Sequence, residues 1–140
     1  MEIMKDKVIG LDTNIFIYYF GQHPEFGTPA KNIFTLLAHS KIKAVTSIIT
    51  LTELLSIKAP ESDIKTLHTL FLETPNLKII NLDQSIGLES ARIKRTYGFR
   101  IPDSIQIATC LQSKATTFIT NDKRLQSCKE IKIILPGQFT

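Results

Sequence analysis

The sequence predicts a three-layer α/β/α sandwich on a mainly parallel sheet of about five strands. Three observations predict it. Short apolar runs rich in β-branched residues recur along the chain, as strands buried on both faces require. Stretches with apolar residues at helical spacing separate them, so each crossover has a helix to cover the sheet. No internal repeat, linker or low-complexity segment breaks the alternation, and 140 residues suit one domain spanning 1–140.

The elements follow in order. Lys7-Val8-Ile9-Gly10-Leu11 reads as a buried strand, and residues 13–21 as a helix that is apolar almost throughout, closed by Gly21. Residues 23–29 hold two prolines and one of two nearby glycines and read as a loop. Ala30 to His39 is an amphipathic helix with Ile33, Phe34, Leu36 and Leu37 apolar, and Lys43 to Thr46 a short strand. Thr50 to Lys58 reads as a helix stopped before Pro60, and Glu61 to Glu73 as another, with Ile64, Leu67, Leu70 and Phe71 in helical register. Leu77 to Ile80 is a strand. Asp83 to Tyr97 is a helix with Ile86, Ala91 and Ile93 inward and Arg92, Lys94 and Arg95 outward, ended by Gly98. Pro102 opens a helix to about Ser113; the strand Thr116–Ile119, a helical piece at Lys123–Ser127 and a last strand Ile131–Leu135 complete the chain.

Composition excludes several classes. No apolar run approaches the ~18 residues of a membrane helix, and the first seven residues lack the apolar core of a secretory signal. Cys110 and Cys128 are not closely spaced, which suits reduced thiols in the cytoplasm. The net charge is +4.

Four acids stand where this architecture could gather them. Asp12 and Asp122 each follow an apolar strand-like run, and Glu53 and Asp103 lie within a turn of a helix start. The crevice outside the carboxyl ends of parallel strands is where such folds bind ligands. Carboxylates facing one crevice repel unless a divalent cation neutralises them, and Mg²⁺ there keeps waters that phosphate oxygens can replace. Setting these four aside leaves nine acids against seventeen bases, a positive surround that suits a polyanion. Each acid also has a plainer reading. Asp12 could be a helix N-cap, and Glu53 the partner of Thr50 in a capping box. Asp103 could be an acid favoured beside Pro102 at a helix start, and Asp122 a turn residue.

The joint pattern Leu11-Asp12-Thr13-Asn14, Thr52-Glu53-Leu54, Arg100-Ile101-Pro102-Asp103-Ser104 and Ile119-Thr120-Asn121-Asp122 resembles the PIN-domain family over essentially the whole chain. More narrowly it is similar to the small prokaryotic VapC-type toxin ribonucleases of toxin–antitoxin pairs. The resemblance implies a Rossmann-like parallel sheet and a Mg²⁺ or Mn²⁺ site. It also implies endonucleolytic cleavage of RNA that leaves a 5′-phosphate and a 3′-hydroxyl. Asp12, Glu53, Asp103 and Asp122 match the family's acidic positions, Thr120 a hydroxyl position beside the last acid, and Asn14 a polar position near the first. On that reading Asp12, Asp103 and Asp122 hold metal, and Glu53 completes the ring and orients water.

Thr13 and Ser104 are either supporting donors or ordinary helix-start residues. Arg100, Lys123, Arg124 and Arg95 are candidate phosphate contacts, with Arg92 behind them. His23, His39 and His68 lie away from the acids. The helix carrying Ile15 to Phe20, with the Leu54-Leu55 helix, is expected to bury itself in the core, in a homodimer or under a partner's apolar helix, and the resemblance implies a cognate antitoxin. The rival reading from another class is a catalytically silent PIN-like RNA-binding or scaffolding domain.

Overall fold

A computed structural model describes residues 8–139 of the chain. Lys7 and the segment weighed as a secretory signal fall outside these. The order is β1 (Val8–Leu11), α1 (Thr13–Phe20), α2 (Gly27–Ala38), β2 (Lys43–Ser47), α3 (Ile49–Leu54), α4 (Glu61–Leu72), β3 (Leu77–Ile80), α5 (Gln84–Tyr97), α6 (Ile101–Gln112), β4 (Thr117–Ile119) and β5 (Lys132–Ile134). A 3-10 turn, Lys123–Ser127, joins the last two strands.

All the strand pairs are parallel, in the order β3-β2-β1-β4-β5. The chain leaves β1 toward β2 and β3, then returns to the other side of β1 with β4. The gap between β1 and β4 is therefore the point where the winding reverses, and the carboxyl ends of all five strands share one edge.

Side-chain alternation sorts the core onto the two faces. Ile9 and Leu11 pack with Ile15, Phe16, Ile33, Phe34 and Phe71, from the helices α1, α2 and α4. On the other face Val45 and Phe118 pack with Ile93, Ile107 and Cys110, from α5 and α6. Gly10 lies between: a Cβ there would sit 2.1 Å from Cys110 Sγ, so the absent side chain is what lets α6 rest against the central strand. Cys110 and Cys128 are free and buried.

Three boundaries and two faces differ from the sequence reading. Helix α2 starts at Gly27, inside the expected loop: the His23 imidazole accepts from the Glu25 and Phe26 amides and folds the turn that leads into the helix, which Pro29 then enters in its first turn. Helix α3 runs Ile49–Leu54, shorter than Thr50–Lys58 and one residue earlier. Ala91 is exposed, while Ile86 and Ile93 are buried as expected. The apolar α1 is not enclosed: Ile15 and Phe16 are buried, but Ile17 is 44% exposed, and Tyr18, Tyr19 and Phe20 are only partly covered. Among the described residues no helix is long and apolar enough to cross a membrane.

Candidate active site

The register of β1 on β4 pairs Leu11 with Ile119. One residue further, Asp12 and Thr120 are neighbours at the strand ends, and the Asp12 amide donates to Ile119 O at 3.0 Å. Asp12 is extended, at φ −75° and ψ 159°, and caps α1. Its Oδ1 accepts from the Thr13 amide at 2.8 Å and its Oδ2 from the Thr120 hydroxyl at 2.7 Å. The N-cap reading of Asp12 therefore holds in geometry, yet a cap alone does not account for its surroundings. Asp12 is 7% exposed, and its pKa is pushed up to about 6, first by burial and also by the charges of Asp103 and Glu53, against the lowering effect of its two hydrogen bonds.

Glu53 is not in a capping box. Thr50 lies inside α3 and its hydroxyl is committed elsewhere, within 2.8 Å of Thr46 Oγ1 and 3.1 Å of Thr13 Oγ1, while the Gln106 amide donates to it at 2.7 Å. Glu53 Oε1 instead accepts from the Thr13 hydroxyl at 2.6 Å. Proton counting fixes the directions: Thr46 donates to Leu11 O and Thr13 donates to Glu53, so the single Thr50 proton serves Thr46 or Thr13. Gln106 completes the chain by accepting from the Ser47 amide. Sequence reasoning missed Thr46, Thr50 and Gln106 as a unit. The available signal was Gln106 itself, one amide in the apolar run Ile105-Gln106-Ile107-Ala108, which a buried helix tolerates only with partners.

Asp103 enters from the first turn of α6. The preceding helix α5 stops at Gly98, whose φ of 76° is left-handed, a conformation glycine takes at least cost. That turn sends the chain through Arg100 into α6. Asp103 is 5% exposed and accepts from Arg100 Nε at 3.1 Å, while Arg124 Nη2 stands 4.0 Å from it. Asp122 caps the 3-10 turn and accepts from Arg124 Nε at 3.0 Å and Nη2 at 2.6 Å. That paired guanidinium holds the Asp122 carboxyl below its usual range. Thr120 links the two strand-end acids, since the oxygen that donates to Asp12 accepts from the Asp122 amide at 3.1 Å.

The remaining candidates divide. Asn14 Oδ1 is buried without a hydrogen-bond partner. Ser104 donates back to Arg100 O and so serves the helix start. Arg100 and Arg124 face the acids; Lys123 and Arg95 are exposed, and Arg92 is tied to Glu89 and Glu130. His23 serves α2, as described.

Among the described residues no three acidic or imidazole side chains close tightly enough to cage a metal alone. The donor set nevertheless fits a hard cation that keeps part of its water shell. Asp12 is a buried carboxylate raised by like charges, and an ion there would relieve both penalties. Arg100 and Arg124 are 64% and 66% exposed, and ion pairs so open to water cost little to exchange.

No curated protein matches the sequence. Among solved structures, the chain superposes with a TM-score of 0.71 on VapBC2 from Rickettsia felis bound to a DNA fragment from its promoter, at 21% identity over 91% of this chain and 98% of that one. A toxin–antitoxin complex from Klebsiella pneumoniae gives 0.71 at 25% identity, over 91% and 97%. FitAcB from Neisseria gonorrhoeae gives 0.68 at 21%, over 94% and 99%. The PIN-domain family model matches residues 9–131, which takes in all four acids and the first four strands except Val8, and on that match the chain belongs to the PIN-domain family.

Proposed function

We propose that the protein is a Mg²⁺- or Mn²⁺-dependent endoribonuclease, the toxin of a toxin–antitoxin pair, acting in the cytoplasm. The observation that carries this reading is Asp12: buried, held by two donors, and raised to about 6 with Asp103 and Glu53 as like-charged neighbours. Such a carboxylate is an expensive feature in a protein that never binds a cation.

Asp12, Asp103 and Asp122 would hold the ion, directly or through water. When bound, it supplies Lewis acidity toward phosphate and water oxygens. Glu53, fixed by Thr13, orients the water that attacks phosphorus, and the 3′-oxygen leaves with the 5′-phosphate on the other fragment. Arg100 and Arg124, on giving up Asp103 and Asp122, meet the phosphate backbone. Those contacts position RNA without reading its sequence. Asn14, whose Oδ1 is free, is placed near the opening of α1 to take part in the same hydration shell.

The similarity to toxin–antitoxin complexes supports a cognate antitoxin as partner. The uncovered side of α1, with Ile17 exposed, suits an apolar helix of that partner or of a second copy. Sedimentation of the protein alone and with its partner tests this: a clean monomer that captures nothing from its own cells counts against it.

The decisive experiment is cleavage of total RNA with Mg²⁺ or Mn²⁺, with EDTA, and with Asp12→Asn alongside. Discrete fragments that vanish with EDTA and with the variant support the reading. The arginine-paired state of Asp103 and Asp122 favours the silent scaffold as the second reading. Absence of both cleavage and Mn²⁺ binding would establish it.

A further inference from the structure

Beside the acids lies a cavity of about 210 Å³ between the end of α5 and the 3-10 turn, lined by Tyr97, Phe99, Arg100, Asp103, Arg124 and Ser127 among others. We propose that it is a nucleobase subsite, which takes one unstacked base of the RNA next to the scissile phosphate. The proposal rests on the endoribonuclease reading and adds what the substrate inserts.

The walls carry it. Tyr97 and Phe99 are stacked, with ring planes 7° apart and centroids at 5.2 Å. Phe99 is buried and Tyr97 half-buried. The Tyr97 hydroxyl donates to Glu130 and accepts from the Lys129 amide, so the ring is held at its hydroxyl end. Arg100 and Arg124 line the same cavity, and Asp103 places it beside the other acids. RNA is read chiefly through splayed bases stacked on aromatic rings or arginine planes, and both surfaces are present within one cavity. Its volume is below the ~300 Å³ at which drug-sized pockets begin, so it suits one ring system and leaves ribose and phosphate at the mouth with Arg100 and Arg124. Pocket walls of this kind select by shape and edge polarity, where phosphate contacts cannot.

The test is amide NMR on the full chain without metal, titrated with each of the four nucleoside 5′-monophosphates and with ribose 5-phosphate. Shifts at Tyr97, Gly98 and Ser127 with at least one nucleotide, absent with ribose 5-phosphate, are expected. Ser127→Trp, an exposed position whose indole fills the cavity, should weaken that binding about tenfold or more. Tyr97→Leu should do the same by removing the stacking wall. On RNA, Ser127→Trp should lose the base preference on one side of the cut. Equal shifts with ribose 5-phosphate would show an anion site only, and no shifts at these amides would mean no base enters; either overturns the proposal. Fragments from Ser127→Trp identical to the parent's would also overturn it. The binding arms need no cleavage, so a protein that binds nucleotides here and cuts nothing would sink the nuclease reading and leave the pocket standing.

Discussion

The Thr120 hydroxyl donates to Asp12 Oδ2 at 2.7 Å and accepts from the Asp122 amide at 3.1 Å. One oxygen thereby ties the carboxylate ending the central strand to the turn that follows its neighbour. Thr120 is fully buried, so neither bond is exchanged for water.

Thr120→Val keeps the shape and removes both bonds. The loss should cost about 1–3 kcal/mol of stability. It should also raise the Asp12 pKa further, because the Thr120 bond is the larger of the two lowering influences. Because a protonated Asp12 competes with a cation, the pH above which the metal-free protein takes up Mn²⁺ should be higher in the variant. An unshifted pH dependence of Mn²⁺ uptake would show that Asp12 does not set it.

Asp12→Asn should stabilise the metal-free protein near neutrality. The folded pKa of about 6 lies above the ordinary 3.8, so the native state holds more protons between those values. Stability from this group is therefore greatest below about pH 4 and is lost as pH rises through about 6, by up to about 3 kcal/mol. The gap between variant and parent should be small at about pH 4 and largest at about pH 7. Urea melts in EDTA at both pH values check this, and a gap that does not grow would remove the buried-charge argument.

Gln106→Leu strips the Ser47 amide of its acceptor and Thr50 of a donor. A cost of about 1–3 kcal/mol is expected. Because Thr50 contacts Thr13, which holds Glu53, turnover should fall by more than substrate affinity. Measuring kcat and KM separately at a temperature where the variant is fully folded distinguishes this from simple destabilisation.

Gly10→Ala places a methyl 2.1 Å from Cys110 Sγ and 3.0 Å from the Phe118 ring. Overpacking of this kind costs about 1–3 kcal/mol or more. Adding Cys110→Ala should return much of it, a coupling that a double-mutant cycle reads directly. Strictly additive losses would mean that α6 moves away instead.

The strands and their terminal acids were legible because a strand buried on both faces leaves an unbroken apolar run, and the polar residue after it marks the sheet edge. Asp12 after Leu11 and Asp122 soon after Ile119 are cases of that rule. The threonine network was not legible. Thr50 followed by Glu53 fits a capping box in one dimension, but Thr46, Thr13 and Gln106 reach Thr50 from three other elements, and the helix begins at Ile49 instead. The start of α2 was missed for a like reason: the turn before it is folded by the His23 imidazole, and in sequence that turn looked like loop. The two faces of α1 were merged because hydropathy records how apolar a helix is and not which neighbours arrive. Ile17 has none over much of its surface.

Asp12 and Asp122 are separated by more than a hundred residues in sequence, and β4, which brings Thr120 to Asp12, pairs directly with the central first strand. During synthesis, a nascent chain that has released β1, β2 and β3 from the ribosome has three paired strands but only half of the crevice. The crevice is complete only when β4 emerges and slots in beside β1. Between the release of β3 and the release of β4, therefore, Asp12 ends a strand with an open flank, and neither Thr120 nor Asp122 has yet reached it.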